Sequence, residues 1–302
     1  MNLLTYCPME RIADVSPTLP LSAYLELTKP RINALVLVTA ALGFFLGGKG
    51  IQAPLELVYF LLGTAFVVGG AGVLNHVLER DVDRLMERTR NRPLPAGLIR
   101  PGVAMSFGLC LVLSGLLLLL STTNLLTAFL ALLSAFLYVV VYTPMKRLTW
   151  LNTSLGAIPG ALPPVGGWTA ATGELEAGAW GLFLILFAWQ HPHFYAIAWI
   201  FREDYHRGGF KMLPVVEPDG RSTCRQIIVY SVLLILVSTL PTFLGISGWI
   251  YLCGAVLMGL GMLLVGIGLT LSRSYPDARR LLKASVLYLP LLLLLSVVDG
   301  GF

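Results

Sequence analysis

The chain has 302 residues, 56% hydrophobic and 12% charged, with a formal net charge of +5 and a mean hydropathy of +0.79. Soluble domains carry roughly a quarter of their residues as charges, so composition excludes an ordinary soluble enzyme, a disordered chain and a collagen-like fibre. The basic excess is not read as nucleic-acid binding, because in a membrane protein bases matter by position.

In chain order, apolar runs of the length that crosses a bilayer as a helix, about 20 residues, are predicted at 32–48, 55–78, 102–121, 124–143, 152–171, 178–201, 226–246, 249–271 and 284–298. The first extends back into 23–31 and the last ends at Asp299. The expected fold is an all-α integral membrane protein of nine transmembrane helices. It forms a single domain over 1–302, with 1–20 as an N-terminal cytoplasmic tail. That tail carries one Arg and two acids and is neither a signal peptide nor an Arg-rich transit peptide. It favours a bacterial plasma (inner) membrane over a mitochondrial one. The four cysteines Cys7, Cys110, Cys224 and Cys253 form no C-x-x-C pair and suggest neither a disulfide framework nor a zinc site.

Nine spans place the termini on opposite sides. Segments 1–31, 79–101, 144–151, 202–225 and 272–283 then share one side and hold 20 of the 21 Lys and Arg residues, leaving only Lys49 opposite. The positive-inside rule puts these segments and the N-terminus in the cytoplasm and the C-terminus outside. The same side holds 12 of the 16 acids, which a topological signal does not need. Loops 79–101 and 202–225, dense in both signs, point to chemistry on an anionic, metal-bound substrate.

The second span runs into Asn75-His-Val-Leu-Glu79-Arg-Asp81-Val-Asp83. A spacing of four turns a helix by about 400°, so Asn75, Glu79 and Asp83 form one stripe and Asp81 faces away. Oxygen ligands on one stripe suit Mg²⁺, which prefers oxygen and bridges to phosphates. The competing reading is a salt-bridge network with Arg80, Arg84 and Glu87. The following loop, Arg88-Thr-Arg90-Asn91-Arg92-Pro93, offers guanidinium forks for phosphate.

The fourth span ends in Tyr142-Thr-Pro144-Met-Lys146-Arg147, and the sixth in His191-Pro-His193-Phe-Tyr195 followed by Asp204-Tyr205 and Lys211-Met212-Leu213-Pro214. The first run, from Asn75 to Gly97, resembles the first motif of the UbiA superfamily of intramembrane prenyltransferases, and the later runs are similar to its protoheme IX farnesyltransferase branch. The resemblance extends from Lys29-Pro30-Arg31 through the ninth span.

It implies a helical fold around a central cavity, with Mg²⁺ at Asn75, Glu79, Asp83 and Asp204, which carry catalysis. It implies diphosphate contacts from Arg88, Arg92, Lys146, Arg147 and Lys211. The implied reaction is farnesyl transfer from farnesyl diphosphate to the vinyl group of heme b, giving heme O and diphosphate on the route to heme A for terminal oxidases. Heme b is then a substrate rather than a cofactor, with His191 and His193 the candidate heme-binding histidines. The resemblance leaves open association with a downstream heme-modifying enzyme or oxidase assembly. The chain departs from the superfamily in having Glu79 where Asp is common, and Gly208 where a second D-x-x-x-D carboxylate would stand. That absence weighs against transfer to a quinone precursor. A transporter is the alternative from another class, but the acids gather at one face and no matching pair of broken helices marks a repeat.

Overall fold

The computed structural model describes residues 21–300; the expected tail over 1–20 lies outside them. In chain order its helices are α1 (Leu21–Leu27), α2 (Pro30–Gly47), α3 (Pro54–Asp83), α4 (Pro101–Thr122), α5 (Leu125–Phe136), a π-turn at Leu137–Tyr142, α6 (Thr143–Leu148), α7 (Asn152–Thr172) and α8 (Ala177–Ile200). There follow α9 (Arg202–Arg207), α10 (Leu213–Val216), α11 (Arg221–Ser238), α12 (Leu240–Phe243), α13 (Trp249–Ser272) and α14 (Tyr275–Val298). Among the described residues the only β-pairing is an isolated bridge between Ser247 and Gly300.

Seven helical segments among the described residues are long and apolar enough to cross a membrane, so this is a multi-pass membrane protein. The expectation of nine spans is met only in part. α7 and α8 cover the runs at 152–171 and 178–201 as continuous helices, but neither has the apolar character of the other seven. The cause is composition: α7 carries Pro159, Pro163 and Pro164, and α8 carries Gln190, His191, Pro192 and His193. These two helices lie inside the bundle, with Asn152, Thr153, Gln190 and His191 all buried. A core helix can tolerate such residues because neighbouring helices satisfy its backbone. Pro163 cannot donate to the Pro159 carbonyl, and Ser134 Oγ does so instead at 3.0 Å.

Helix packing follows residue size. A Cβ at Gly70 would stand 2.6 Å from the Gly108 carbonyl oxygen, and one at Gly115 would stand 2.6 Å from that of Gly63. Glycines spaced seven apart on both α3 and α4 thus bring the two backbones together, as small residues do in membrane interfaces. This fixes α3, on which the site is built. Its 30 residues span about 45 Å, against a hydrocarbon core of about 30 Å. Starting at Pro54, α3 leaves that core near residue 74, so Asn75, Glu79 and Asp83 stand at the mouth of the bundle.

Candidate functional site

The stripe read from the sequence exists as a buried face. Asn75, Glu79 and Asp83 are 1%, 7% and 1% exposed, whereas the Asp81 side chain is 72% exposed and paired with Arg80 at 2.8 Å. The expected network with Arg80 and Arg84 therefore belongs to Asp81. The stripe has other partners. Glu79 accepts from Lys146 Nζ at 2.7 Å, Asp83 from Arg92 at 3.0 Å, and Asn75 Oδ1 from Lys29 Nζ at 2.5 Å. The Asn75 amide donates to Thr143 Oγ1 at 2.9 Å.

Lys29, Asn75, Glu79, Asp83, Arg92 and Lys146 line a cavity of about 90 Å³, which Arg88, Tyr142 and Tyr205 also reach. Four cations (Lys29, Arg88, Arg92 and Lys146) face two carboxylates (Glu79 and Asp83) there, an excess of two positive charges. Asp83 Oδ1 is buried without a hydrogen-bond partner. An orphaned carboxylate oxygen beside surplus guanidinium and ammonium groups suits a metal-bound polyanion, the metal taking the acids and the bases the anion.

Local structure explains how Lys146 arrives. Pro144 has no N–H, and its ring crowds the carbonyl four residues back. The preceding turn widens to π geometry, with the Thr143 N–H donating to the Tyr138 carbonyl. This stacks Tyr138 on Tyr142 at 5.7 Å and holds Lys146 Nζ 4.6 Å from the Tyr142 ring centre. The second motif closes the other wall. The Lys211 N–H donates to the Lys146 carbonyl at 2.7 Å, which seats Phe210 and Met212 in the lining.

Not every expected residue arrives there. The side chains of Arg147 and Lys211 are exposed and outside the lining; Lys211 acts through its backbone. Asp204 faces a neighbouring cavity, bonded to Arg207 and to the Glu87 N–H at 3.1 Å. Burial pushes its carboxyl up, but the Arg207 and Glu87 hydrogen bonds outweigh this and hold it below the usual carboxylate range. Among the described residues no three His, Cys, Asp or Glu side chains converge as a ready metal cage, so substrate oxygens and water would have to complete any ion's shell.

One site residue, Lys29, escaped sequence reading. Lys29 takes a left-handed conformation, φ 53°, at the break between α1 and α2, a strained backbone of the kind found at functional sites. A Lys-Pro pair at the head of an apolar run was the available signal. His76 is buried, with Nδ1 3.9 Å from Asp83 Oδ2, and backs the stripe from the side.

The two histidines of α8 differ. The Phe187 carbonyl can only accept, so His191 Nδ1, 2.8 Å away, carries the proton and Nε2 accepts from Ser154 Oγ at 3.0 Å. Both nitrogens are committed, and the ring stacks on Tyr230 at 3.5 Å. His193 Nδ1 lies 2.8 Å from Ser285 Oγ, whose own proton goes to the Leu282 carbonyl at 2.7 Å. A hydroxyl has one proton, so Ser285 accepts from Nδ1–H and His193 Nε2 keeps its lone pair. Among the described residues Nε2 has no hydrogen-bond partner.

The described residues thus form an all-helical membrane bundle with a cationic, acid-striped pocket at one mouth. Residues 36–289 match the UbiA prenyltransferase family, and the chain belongs to it. It is 47% identical over 286 residues to the protoheme IX farnesyltransferase of Solibacter usitatus, covering 91% of this chain and 98% of that one. It is 50% identical over 276 residues to that of Salinibacter ruber, again covering 91% and 98%. A solved structure of a digeranylgeranylglyceryl phosphate synthase superposes with a TM-score of 0.79 at 20% identity, over 92% of this chain and 98% of its own. A UbiA homolog from Archaeoglobus fulgidus bound to GPP and Mg²⁺ superposes with a TM-score of 0.67 at 18% identity, over 92% and 99%.

Proposed function

We propose that this protein transfers the farnesyl group of farnesyl diphosphate to a vinyl group of heme b, forming heme O. The observation that carries the reading is the pocket with two carboxylates and four cations at the end of α3, in a chain whose curated relatives bear that activity. Lys29, Arg88, Arg92 and Lys146 bind the diphosphate. Asp204, turned to the neighbouring cavity, stands apart from Glu79 and Asp83, which with Asn75 would hold Mg²⁺, the ion named in the Archaeoglobus homolog. Bound there, Mg²⁺ supplies Lewis-acid neutralisation of the leaving group.

The C1–O bond of the farnesyl group breaks and its electron pair leaves with the diphosphate. The stacked faces of Tyr138 and Tyr142 attract the allylic cation, an interaction of about 2 kcal/mol when desolvated. The vinyl double bond supplies the pair for the new C–C bond. The cation left beside the porphyrin takes water, which releases a proton. Purified protein incubated with farnesyl diphosphate, heme b and Mg²⁺ tests this directly. Formation of heme O with stoichiometric diphosphate is expected, and its absence with heme b bound would sink the reading.

His193 Nε2 is the iron ligand of the bound heme, and Ser285 sets its tautomer; His191 packs. The optical spectrum of bound ferric heme checks this. His193→Ala removes the histidine-ligated signature and weakens binding roughly tenfold or more. Ser285→Ala keeps the ligand but loosens it, while His191→Ala leaves the spectrum intact and lowers thermal stability. An unchanged spectrum in His193→Ala would reassign the iron.

The chain forms one domain of nine spans in a bacterial plasma membrane, with the N-terminus and the pocket cytoplasmic and the C-terminus outside. The support is the gathering of 20 of 21 bases on segments 1–31, 79–101, 144–151, 202–225 and 272–283, the first four of which contribute Lys29, Glu79, Lys146 and Tyr205 to the pocket lining. Cysteines placed at Lys49 or Glu174 should react with an impermeant thiol reagent from outside intact cells. Reaction only after lysis reverses the orientation.

A further inference from the structure

A second cavity, of about 410 Å³, opens at the same end of the bundle between the end of α8, α9 and the α13–α14 turn. It is separate from the 90 Å³ diphosphate pocket, and α9 forms the wall between them: Asp204 faces one side and Tyr205 the other. Its charged lining is Arg202, Glu203, Asp204, Arg207 and Arg273. Asp204 and Arg207 neutralise each other. Arg202 and Arg273 have no carboxylate partner among the described residues; the Arg202 guanidinium lies 5.8 Å from the Trp199 ring centre. Arg273 donates only to the Asp219 carbonyl, at 2.8 Å. With Glu203 counted, the lining residues carry a net charge of +1; Glu87, outside the lining, also pairs with Arg207 at 3.4 Å.

Arg273 caps the C-terminus of α13 at φ 50°, in left-handed backbone that a non-glycine residue rarely adopts. The carbonyl of Asp219, on the loop before α11, then fixes where its guanidinium points. Trp199, Phe201 and Tyr275 add flat aromatic walls. The cavity also lies in register with His193. α8 packs on α14, with His193 on Ser285 at 2.8 Å. Ile200, which lines the cavity, is seven residues beyond His193, nearly two full turns and about 10 Å along the same face. That is the scale of the distance from a porphyrin's metal centre to its carboxylates.

Resting on the farnesyl-to-heme reading, we propose that this cavity receives the carboxylate edge of the acceptor porphyrin, one carboxylate on Arg202 and the other on Arg273. Two separated guanidiniums match two carboxylates, since each planar fork can hold one in bidentate fashion. The acceptor and the diphosphate then occupy different cavities and do not compete for the same cations.

The test is a titration of the full-length protein in nanodiscs with hemin and with hemin dimethyl ester, whose carboxylates are blocked. Wild type should bind hemin more tightly than the ester. Arg202→Ala and Arg273→Ala should each weaken hemin roughly tenfold or more, leave the ester unchanged, keep the histidine-ligated spectrum and leave farnesyl diphosphate binding intact. If wild type converts hemin but does not distinguish it from the ester, or if the variants bind hemin as wild type does, the subsite is wrong and the reaction stands. If the variants differ from wild type only in nanodiscs of anionic lipid, with hemin preference retained, the cavity serves a lipid headgroup and the proposal is overturned. If wild type neither binds nor converts hemin, the reaction itself is wrong and the subsite falls with it.

Discussion

Glu79→Gln and Asp83→Asn should each lower turnover at least about a hundredfold, while Asp81→Asn stays within a few-fold of wild type; a factor of ten corresponds to 1.36 kcal/mol of barrier. The three acids lie within five residues on one helix, so the comparison holds sequence neighbourhood and net charge change constant. What differs is direction. The Glu79 and Asp83 side chains are 9% and 1% exposed and line the pocket, whereas Asp81 is 72% exposed. Neutralising the leaving group in a cavity largely shielded from solvent is worth several kcal/mol, and each isosteric amide deletes one charge from that work. The measurement is kcat at saturating farnesyl diphosphate and heme b. Equal losses at Asp81 and Asp83 would mean that the orientation of the side chains is irrelevant, and normal rates in all three would remove the metal from this helix.

The stripe was legible because helical periodicity is a local property: nine residues suffice to place Asn75, Glu79 and Asp83 on one side. Arg88, Arg92 and Lys146 were legible for a similar reason, being bases crowded against apolar spans. What could not be read is whatever depends on a partner far along the chain. Lys29 meets Asn75 across 46 residues; the Lys-Pro pair marks a helix start there but not the partner that the lysine reaches. The tautomer of His193 is set by Ser285, 92 residues on. Asp204, by sequence a counterpart of the stripe, is drawn instead to Arg207 and the Glu87 N–H, because its short helix lies between two cavities rather than inside one. The span count has the opposite cause. Nine apolar runs are present in the sequence, but α7 and α8 carry Pro and His because they face other helices, and their composition reflects the core rather than lipid.

The second large effect concerns Lys146, whose Nζ sits 2.7 Å from Glu79 with side-chain exposures of 15% and 9%. Lys146→Met should lower turnover about a hundredfold, because it removes a cation from the diphosphate. It should also lower the melting temperature by about 5 °C or more, since stranding a buried charge costs about 3 kcal/mol. Glu79→Gln strands Lys146 in the same way, so its lost activity could be mistaken for lost folding. The double variant separates the two causes. With both charges gone nothing is stranded, and the melting temperature should recover, with a coupling of about 1–3 kcal/mol between the sites. Turnover should not recover, because the diphosphate has lost one cation and the metal one ligand. Recovery of both would make the pair a structural tie with no part in the chemistry. Recovery of neither would mean that the 2.7 Å contact is replaced in the folded protein by separate partners for each charge.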